Sequence, residues 1–371
     1  VNRIPTLVLG GTGYVAGELL RLVAGHPQLE IAGVMSDSQP GEAVAKAFPH
    51  LAPVLGDLRF VAEDAIATLL ARLPTSALFA AAPHGVSAAL IDRLLTVAES
   101  AGTRPRVVDI SADYRYADAD TYAAVYKHAH GAPRRLKDFT CAVPEHLAAA
   151  PTPHIAHPGC FATAALLASV PLLSLGLVEP TLFVSGVTGS TGAGRKPVDG
   201  THHPTRHSDL YSYNALAHRH IPEITACAAA ASGVTAEFAF VPHSGPFARG
   251  IHVTVQATLA PAAKGGNARS GNNGTPGNNG TLDSAELLAA LRKFYANSPF
   301  VRVLDAPPRV KDVVASNYAH LYGTTNGRTV AVMCVIDNLD KGAAGGAVQW
   351  MNRLLGLPET AGLTAPAAGW T

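Results

Sequence analysis

The chain has 371 residues, 48% of them hydrophobic and 15% charged, with a formal net charge of +1. That length suits about two domains, and the composition supports sizeable cores and argues against general disorder. Near-neutral charge with scattered basic residues gives no reason to expect nucleic acid or an anionic membrane as a partner. No run of about 18 apolar residues occurs, and the opening Val1–Gly11 leads into a strand without a cleavable signal pattern. Cys141, Cys160, Cys227 and Cys334 lack the spacing of a metal site and read as reduced thiols, so a cytoplasmic setting is expected.

In chain order, Thr6–Leu9 reads as a strand, Tyr14–Ala24 as an amphipathic helix and Glu30–Val34 as a second strand. Ala77–Ala81 and Arg106–Ile110 are further apolar runs ending in turn residues. Strands alternating with helices imply a parallel sheet wound on both faces. From about Cys160 the pattern changes: Leu182–Val187, Glu237–Pro242 and Gly250–Leu259 are longer strand candidates without matching helices between them. The expected fold is therefore α/β, a Rossmann-type doubly wound parallel sheet, plus an α+β domain with a mixed, largely antiparallel sheet. The Gly/Asn-rich tract at 265–281 has nothing apolar to bury and reads as a flexible surface loop. Asp283–Asn297 reads as a helix with Asp283 or Ser284 as N-cap, Thr329–Asp337 as a strand and Lys341–Leu355 as a helix.

Several segments carry chemistry. Gly10-Gly11-Thr12-Gly13-Tyr14-Val15 lies between the first strand and helix, where glycines let helix amides approach a pyrophosphate. After the second strand, Ser36 and Ser38 flank Asp37, a pairing that suits the 2′-phosphate of NADPH better than a lone acid would. His157-Pro158-Gly159-Cys160 forms a turn before an apolar helical run from Phe161 to Val170. A cysteine at a helix N-terminus is a candidate low-pKa nucleophile for acyl transfer. His218-Arg219-His220-Ile221-Pro222-Glu223 supplies candidate proton-transfer groups. The loop Ser185–Lys196 offers amides and two cations to a phosphate or oxyanion, and Arg115 follows a strand at the sheet edge. His202, His203 and His207 lack a companion cysteine or an E-x-x-H pattern, so no metal is expected.

With these segments in order, the chain resembles the N-acetyl-gamma-glutamyl-phosphate reductases of arginine biosynthesis over nearly its whole length. The resemblance rests on GGTGYVAGEL, APHGVS, SADYR, HPGCFAT, GSTGAGR, HRHIPEI and IDNLDKGAAGGAVQWMN. It implies an NADP(H)-dependent enzyme in which Cys160 attacks an acyl phosphate and His218 serves as acid and base, with His220 the weaker choice. It implies substrate contacts from Arg115, Ser190, Arg195, His220 and Glu223. It also implies that Pro83, His84, Gly192, Ala193 and Asn338 line the nicotinamide cofactor. The family fold returns its C-terminal segment to the nucleotide domain, giving expected domains of 1–157 with 338–371, and 158–337. Relatives commonly form homodimers or homotetramers. Two other readings are a reductase of a carrier-linked aminoadipyl phosphate and a non-catalytic NADPH-binding sensor. Ala162 and Tyr114 depart from the commoner proline and phenylalanine of the family.

Overall fold

The computed structural model describes residues 3–261 and 282–369. The tract at 265–281 lies outside the described residues.

Two seven-stranded sheets organise the chain. The first contains β1 (Ile4–Leu9), β2 (Leu29–Met35), β3 (Phe60–Val61), β4 (Thr75–Ala80), β5 (Arg104–Asp109), β6 (Phe139–Cys141) and β7 (His154–Ala156). Its order is β3-β2-β1-β4-β5-β7-β6, and every pairing is parallel. Strand order reverses between β1 and β4, which opens a crevice at their carboxyl ends where ligands bind in such sheets.

The second sheet contains β8 (Val178–Thr188), β9 (Tyr211–Ser212), β10 (Glu237–Ser244), β11 (Ile251–Leu259), β12 (Val301–Val303), β13 (Ala319–Thr325) and β14 (Thr329–Ile336). Its order is β12-β13-β14-β11-β8-β10-β9. The β8/β10 and β12/β13 pairs are parallel and the others antiparallel. The expected α/β fold with a second mixed sheet is therefore present.

Alternation along β11 buries Ile251, Val253, Val255, Ala257 and Leu259 on one face. The helix Cys160–Ser174 covers that face, with every residue from Phe161 to Leu173 buried. Apolar residues all round this helix make it a core element rather than an amphipathic surface one. It holds the nucleophile candidate at its first position, on a rigid support. A second helix, Ser284–Phe294, starts at an Asp283 capping box, as its sequence indicated.

The helix expected from Lys341 to Leu355 requires a correction. Its first part, Asp340–Ala344, is one π-helical turn, and regular α-helix runs only over Gly345–Leu354. Gly342 N donates to Asp337 O at 2.9 Å and Ala344 N to Leu339 O at 2.9 Å, a five-residue spacing. A sequence period cannot show this extra residue in a turn. The helix then packs into the core of the first sheet, where Trp350 is fully buried and its Nε1 donates to Ala142 O at 2.8 Å.

Candidate active site

At the carboxyl end of β1 the chain turns through Gly10, whose φ is +75°. A Cβ there would sit 2.6 Å from Ala82 Cα, so both space and conformation demand glycine. Gly13 is the N-cap of the helix Tyr14–Ala24 and provides no side-chain cap. The first helix amides therefore face a cleft of about 870 Å³ lined by Thr12, Ser36, Ser38, Lys46, Pro83 and Arg195, among others. Gly11 supports the loop instead: a Cβ there would meet Val34 Cγ1 at 2.6 Å. Ser36 Oγ accepts from Gln39 N at 3.2 Å and lies 3.4 Å from Ser38 Oγ, so the two hydroxyls stand together in the cleft lining. His84 Nδ1 accepts from Ala112 N at 2.9 Å, and burial brings its pKa down to about 3, leaving a neutral ring.

Arg195, expected beside the substrate, lies over the nucleotide loop. It donates to Thr12 O at 3.1 Å and its guanidinium stacks 5.5 Å from the Phe48 ring centroid. The cause is local: Ser190–Ala193 forms a short 3₁₀ turn, and Gly194, at φ +87°, sends the following residues away from the cysteine. Ser190, Gly192 and Ala193 stay behind and line the cysteine cavity, so the last two, expected against the cofactor, stand where the thiol opens. Asn338 is buried, donating from Nδ2 to Thr191 Oγ1 at 3.0 Å and accepting from Gly250 N at 2.7 Å. It braces this turn from behind and does not line the nucleotide cleft.

Cys160 occupies the first turn of its helix, with Gly159 as N-cap. Burial pushes its thiol above the ordinary value, opposed by the Phe161 N–H and by Arg115 and Arg219. The low-pKa thiolate expected from the helix N-terminus is thus corrected: desolvation outweighs the Phe161 N–H and the two arginines, and the resting group is a thiol.

Arg115 and Glu223 also differ from expectation, because neither lines the cavity. Both are buried beneath the turn that carries Cys160 and are paired at 3.1 Å. Glu223 Oε1 accepts from Gly159 N at 2.6 Å, while Arg115 donates to His157 O at 3.0 Å and Ile110 O at 2.9 Å. Gly159 is required by close approach, since a Cβ there would sit 2.5 Å from His220 Nε2 and 2.8 Å from Arg115 Nη1. The buried pair therefore fixes the backbone on either side of Pro158.

The cysteine opens into a cavity of about 560 Å³, also lined by Tyr213, His218, Arg219 and Ser244. His218 packs edge-on against Phe161, Phe240 and Tyr213, at centroid distances of 6.0, 5.3 and 5.7 Å. Burial, then Arg219, lowers its pKa to about 4, so it is neutral near pH 7. Its Nδ1 accepts from the His220 backbone N–H at 3.2 Å, which assigns the ring proton to Nε2. His220 lines the same cavity, but burial holds it well below the usual imidazole range and its Nδ1 has no partner.

From the sequence, Arg219 was placed with the two histidines around one pocket but given no role, and Tyr213 and Ser244 were not assigned to the site. Arg219 is the only cation lining this cavity among the described residues, and its position between the two histidines of the motif was the available signal. Tyr213 and Ser244 had none, because they arrive through the pairing of β9 with β10.

A two-sheet architecture with a cysteine at a helix N-terminus beside a nucleotide cleft fits the semialdehyde dehydrogenase class, which the family models show. The family model "Semialdehyde dehydrogenase, NAD binding domain" matches residues 6–151, and "Semialdehyde dehydrogenase, dimerisation domain" matches 160–273 and 274–338. Solved structures agree in fold. Aspartate semialdehyde dehydrogenase II of Vibrio cholerae gives a TM-score of 0.65 at 13% identity, over 96% of this chain and 99% of that one. The Candida albicans aspartate semialdehyde dehydrogenase with NADP gives 0.62 at 15%, over 96% and 99%.

Sequence relatives are more specific. N-acetyl-gamma-glutamyl-phosphate reductase of Pseudomonas putida (strain W619) is 38% identical over 96% of this chain and 97% of its own length. That of Pseudomonas entomophila (strain L48) is 39% identical over 96% of each. The chain belongs to the N-acetyl-gamma-glutamyl-phosphate reductase family.

Proposed function

We propose that the protein reduces N-acetyl-L-glutamyl 5-phosphate to N-acetyl-L-glutamate 5-semialdehyde, releasing phosphate, with Cys160 as nucleophile and His218 as acid and base. The observation that carries this reading is the shared cavity of Cys160 and His218, in a chain 38% identical over 96% of its length to a reductase of that name.

The nucleotide cleft fits NADPH. The uncapped helix amides behind Gly13 suit a pyrophosphate, and Ser36 and Ser38 suit a 2′-phosphate, while Lys46 in the same cleft is paired with Glu42 at 2.8 Å. When bound, NADPH supplies the hydride that reduces the thioester carbonyl. The remaining steps belong to the chain's own residues. Cys160 Sγ attacks the acyl carbon, the carbon–oxygen bond to phosphate breaks, and the thiol proton leaves with the phosphate. His218 Nε2–H protonates the carbonyl oxygen as reduction proceeds, then recovers that proton as the carbon–sulfur bond breaks and the aldehyde forms, and the released Cys160 thiolate takes a proton from water to restore the resting thiol. Arg219 stabilises negative charge on the substrate, and the Arg115–Glu223 pair holds the nucleophile turn. This work divides between two units, 1–157 with 338–371 holding the cofactor and 158–337 holding the chemistry. The face of β8 away from the core helix exposes Phe183, which suits a homodimer or homotetramer built on the second sheet. No helix among the described residues is long and apolar enough to cross a membrane, and a cytoplasmic enzyme is proposed.

The test is phosphate-dependent NADP⁺ reduction by N-acetylglutamate semialdehyde, run beside the carrier-linked aminoadipate semialdehyde. Turnover of the acetylated compound alone is expected, and preference for the carrier-linked one defeats the substrate assignment. Cofactor choice is tested separately. The wild type is expected to favour NADPH over NADH in kcat/KM, and Ser38→Glu to cut that preference by on the order of tenfold, about 1.4 kcal/mol. A wild type that prefers NADH overturns the role given to Ser36 and Ser38.

A further inference from the structure

Close against Cys160 lies the backbone of Gly342, which does not line the cavity and belongs to the π-helical turn Asp340–Ala344. A Cβ at Gly342 would lie 2.8 Å from Cys160 Cβ and 3.1 Å from its Cα. No unusual φ explains this glycine, so the requirement is space alone. One turn later Gly346 makes the matching approach to the other end of the nucleophile segment, where a Cβ would lie 2.6 Å from His157 Nε2. His157 is fully buried, and neither ring nitrogen lies within hydrogen-bond geometry of a partner among the described residues, so this glycine approaches the ring by packing.

The π turn is itself anchored. Lys341 is fully buried, pairs with Glu145 and donates to Gln349 Oε1 at 2.7 Å. Glu145 follows β6 in the first sheet, whereas Lys341 follows β14 in the second. Asp337 Oδ1 accepts from Leu339 N at 2.8 Å and Asp340 N at 2.9 Å, closing the entry to the turn. A π turn adds one residue to a helical turn, a device concentrated at functional sites.

We propose that Gly342 is a positioning residue for the reaction. The anchored π turn presses a bare backbone against Cα and Cβ of Cys160 and so aims the thiol into its cavity. This inference rests on the reading of Cys160 as nucleophile. A methyl group at Gly342 meets backbone and a Cβ, neither of which rotates out of the way, so the first turn of the helix must shift. An error of about 1 Å in a reacting atom costs on the order of 100-fold in rate. The same shift draws Sγ from the Phe161 N–H that favours the thiolate, so the thiol titrates at higher pH.

The test compares wild type, Gly342→Ala, Cys160→Ser and Val348→Ala, the last removing buried volume from the same C-terminal helix without touching Cys160. Each is assayed for kcat, NADPH affinity, melting temperature and the pH profile of Cys160 alkylation by iodoacetamide, followed on the Cys160 peptide. For Gly342→Ala, kcat is expected to fall about 100-fold with NADPH affinity kept within about twofold and the alkylation midpoint moved to higher pH. Val348→Ala is expected to lower the melting temperature and leave the midpoint in place. Cys160→Ser with near wild-type turnover removes the underlying reading. An inactive Cys160→Ser beside a Gly342→Ala that keeps wild-type kcat and midpoint overturns the positioning role alone. Should Gly342→Ala not fold, Gln349→Met removes one anchor of Lys341 while keeping the ion pair. It is expected to lower kcat about fivefold with the same direction of midpoint shift, and unchanged values for both overturn the proposal.

Discussion

Cys160→Ala will reduce phosphate-dependent turnover by on the order of 10⁴-fold or more, because Cys160 is the only thiol lining the cavity among the described residues. The competing thiols are poor substitutes. Cys334 is fully buried in β14, and Cys227 lies 3.5 Å from Cys141 Sγ, outside the cavity. NADPH affinity is expected to stay within about twofold, since the nucleotide cleft has no Cys160 contact. The pH dependence follows from burial. The Cys160 thiol titrates above the ordinary value, so its alkylation rate rises through neutral pH about tenfold per unit and does not plateau there. A plateau below pH 7 contradicts the buried, resting-thiol description.

The second large effect concerns His218. His218→Asn is expected to lower kcat by about 100-fold or more, the loss typical of a positioned acid and base. Its pKa of about 4 means the neutral ring persists above about pH 5 and protonation removes it below that. Because the folded value is depressed, the neutral form is the one the fold favours, so an acidic limb in the wild-type kcat profile should fall below pH 5 and vanish in the variant. His220→Asn provides the contrast. His220 is walled in by Gly159 and its Nδ1 has no partner, so its replacement is expected to act on the nucleophile turn and mainly on stability. Equal or greater loss of kcat in His220→Asn, with His218→Asn near wild type, reverses the two roles.

Much of the fold was legible because it is written in local periods. The helix Tyr14–Ala24, the apolar strands and the cap at Asp283 each depend on neighbours a few residues apart. The glycine loop was legible for the same reason, since Gly10 must adopt a conformation other residues avoid. The helix Cys160–Ser174 was legible too, and with it the place of the thiol. Its protonation state was not, because burial comes from strands far along the chain.

Long-range pairing hid the rest. Arg115 and Glu223 are 108 residues apart, and nothing in either motif says they satisfy each other beneath the turn instead of meeting substrate. Lys341 and Glu145 are separated by 196 residues, so nothing near Lys341 in the chain shows that it is fully buried. Arg195 misled through a single bend, the positive φ of Gly194, which carries it from the thiol to the nucleotide loop. In each case the residue type was visible and its partner was not.

The most direct test of covalent catalysis withholds reductant. Wild-type protein is mixed with N-acetylglutamyl phosphate, formed in situ by a kinase, without NADPH, then quenched in acid and digested for peptide mass spectrometry. The account predicts an acetylglutamyl adduct on the Cys160 peptide alone, released by hydroxylamine and absent from Cys160→Ser. Absence of the adduct, together with NADPH oxidation by Cys160→Ser at the wild-type rate, would contradict it.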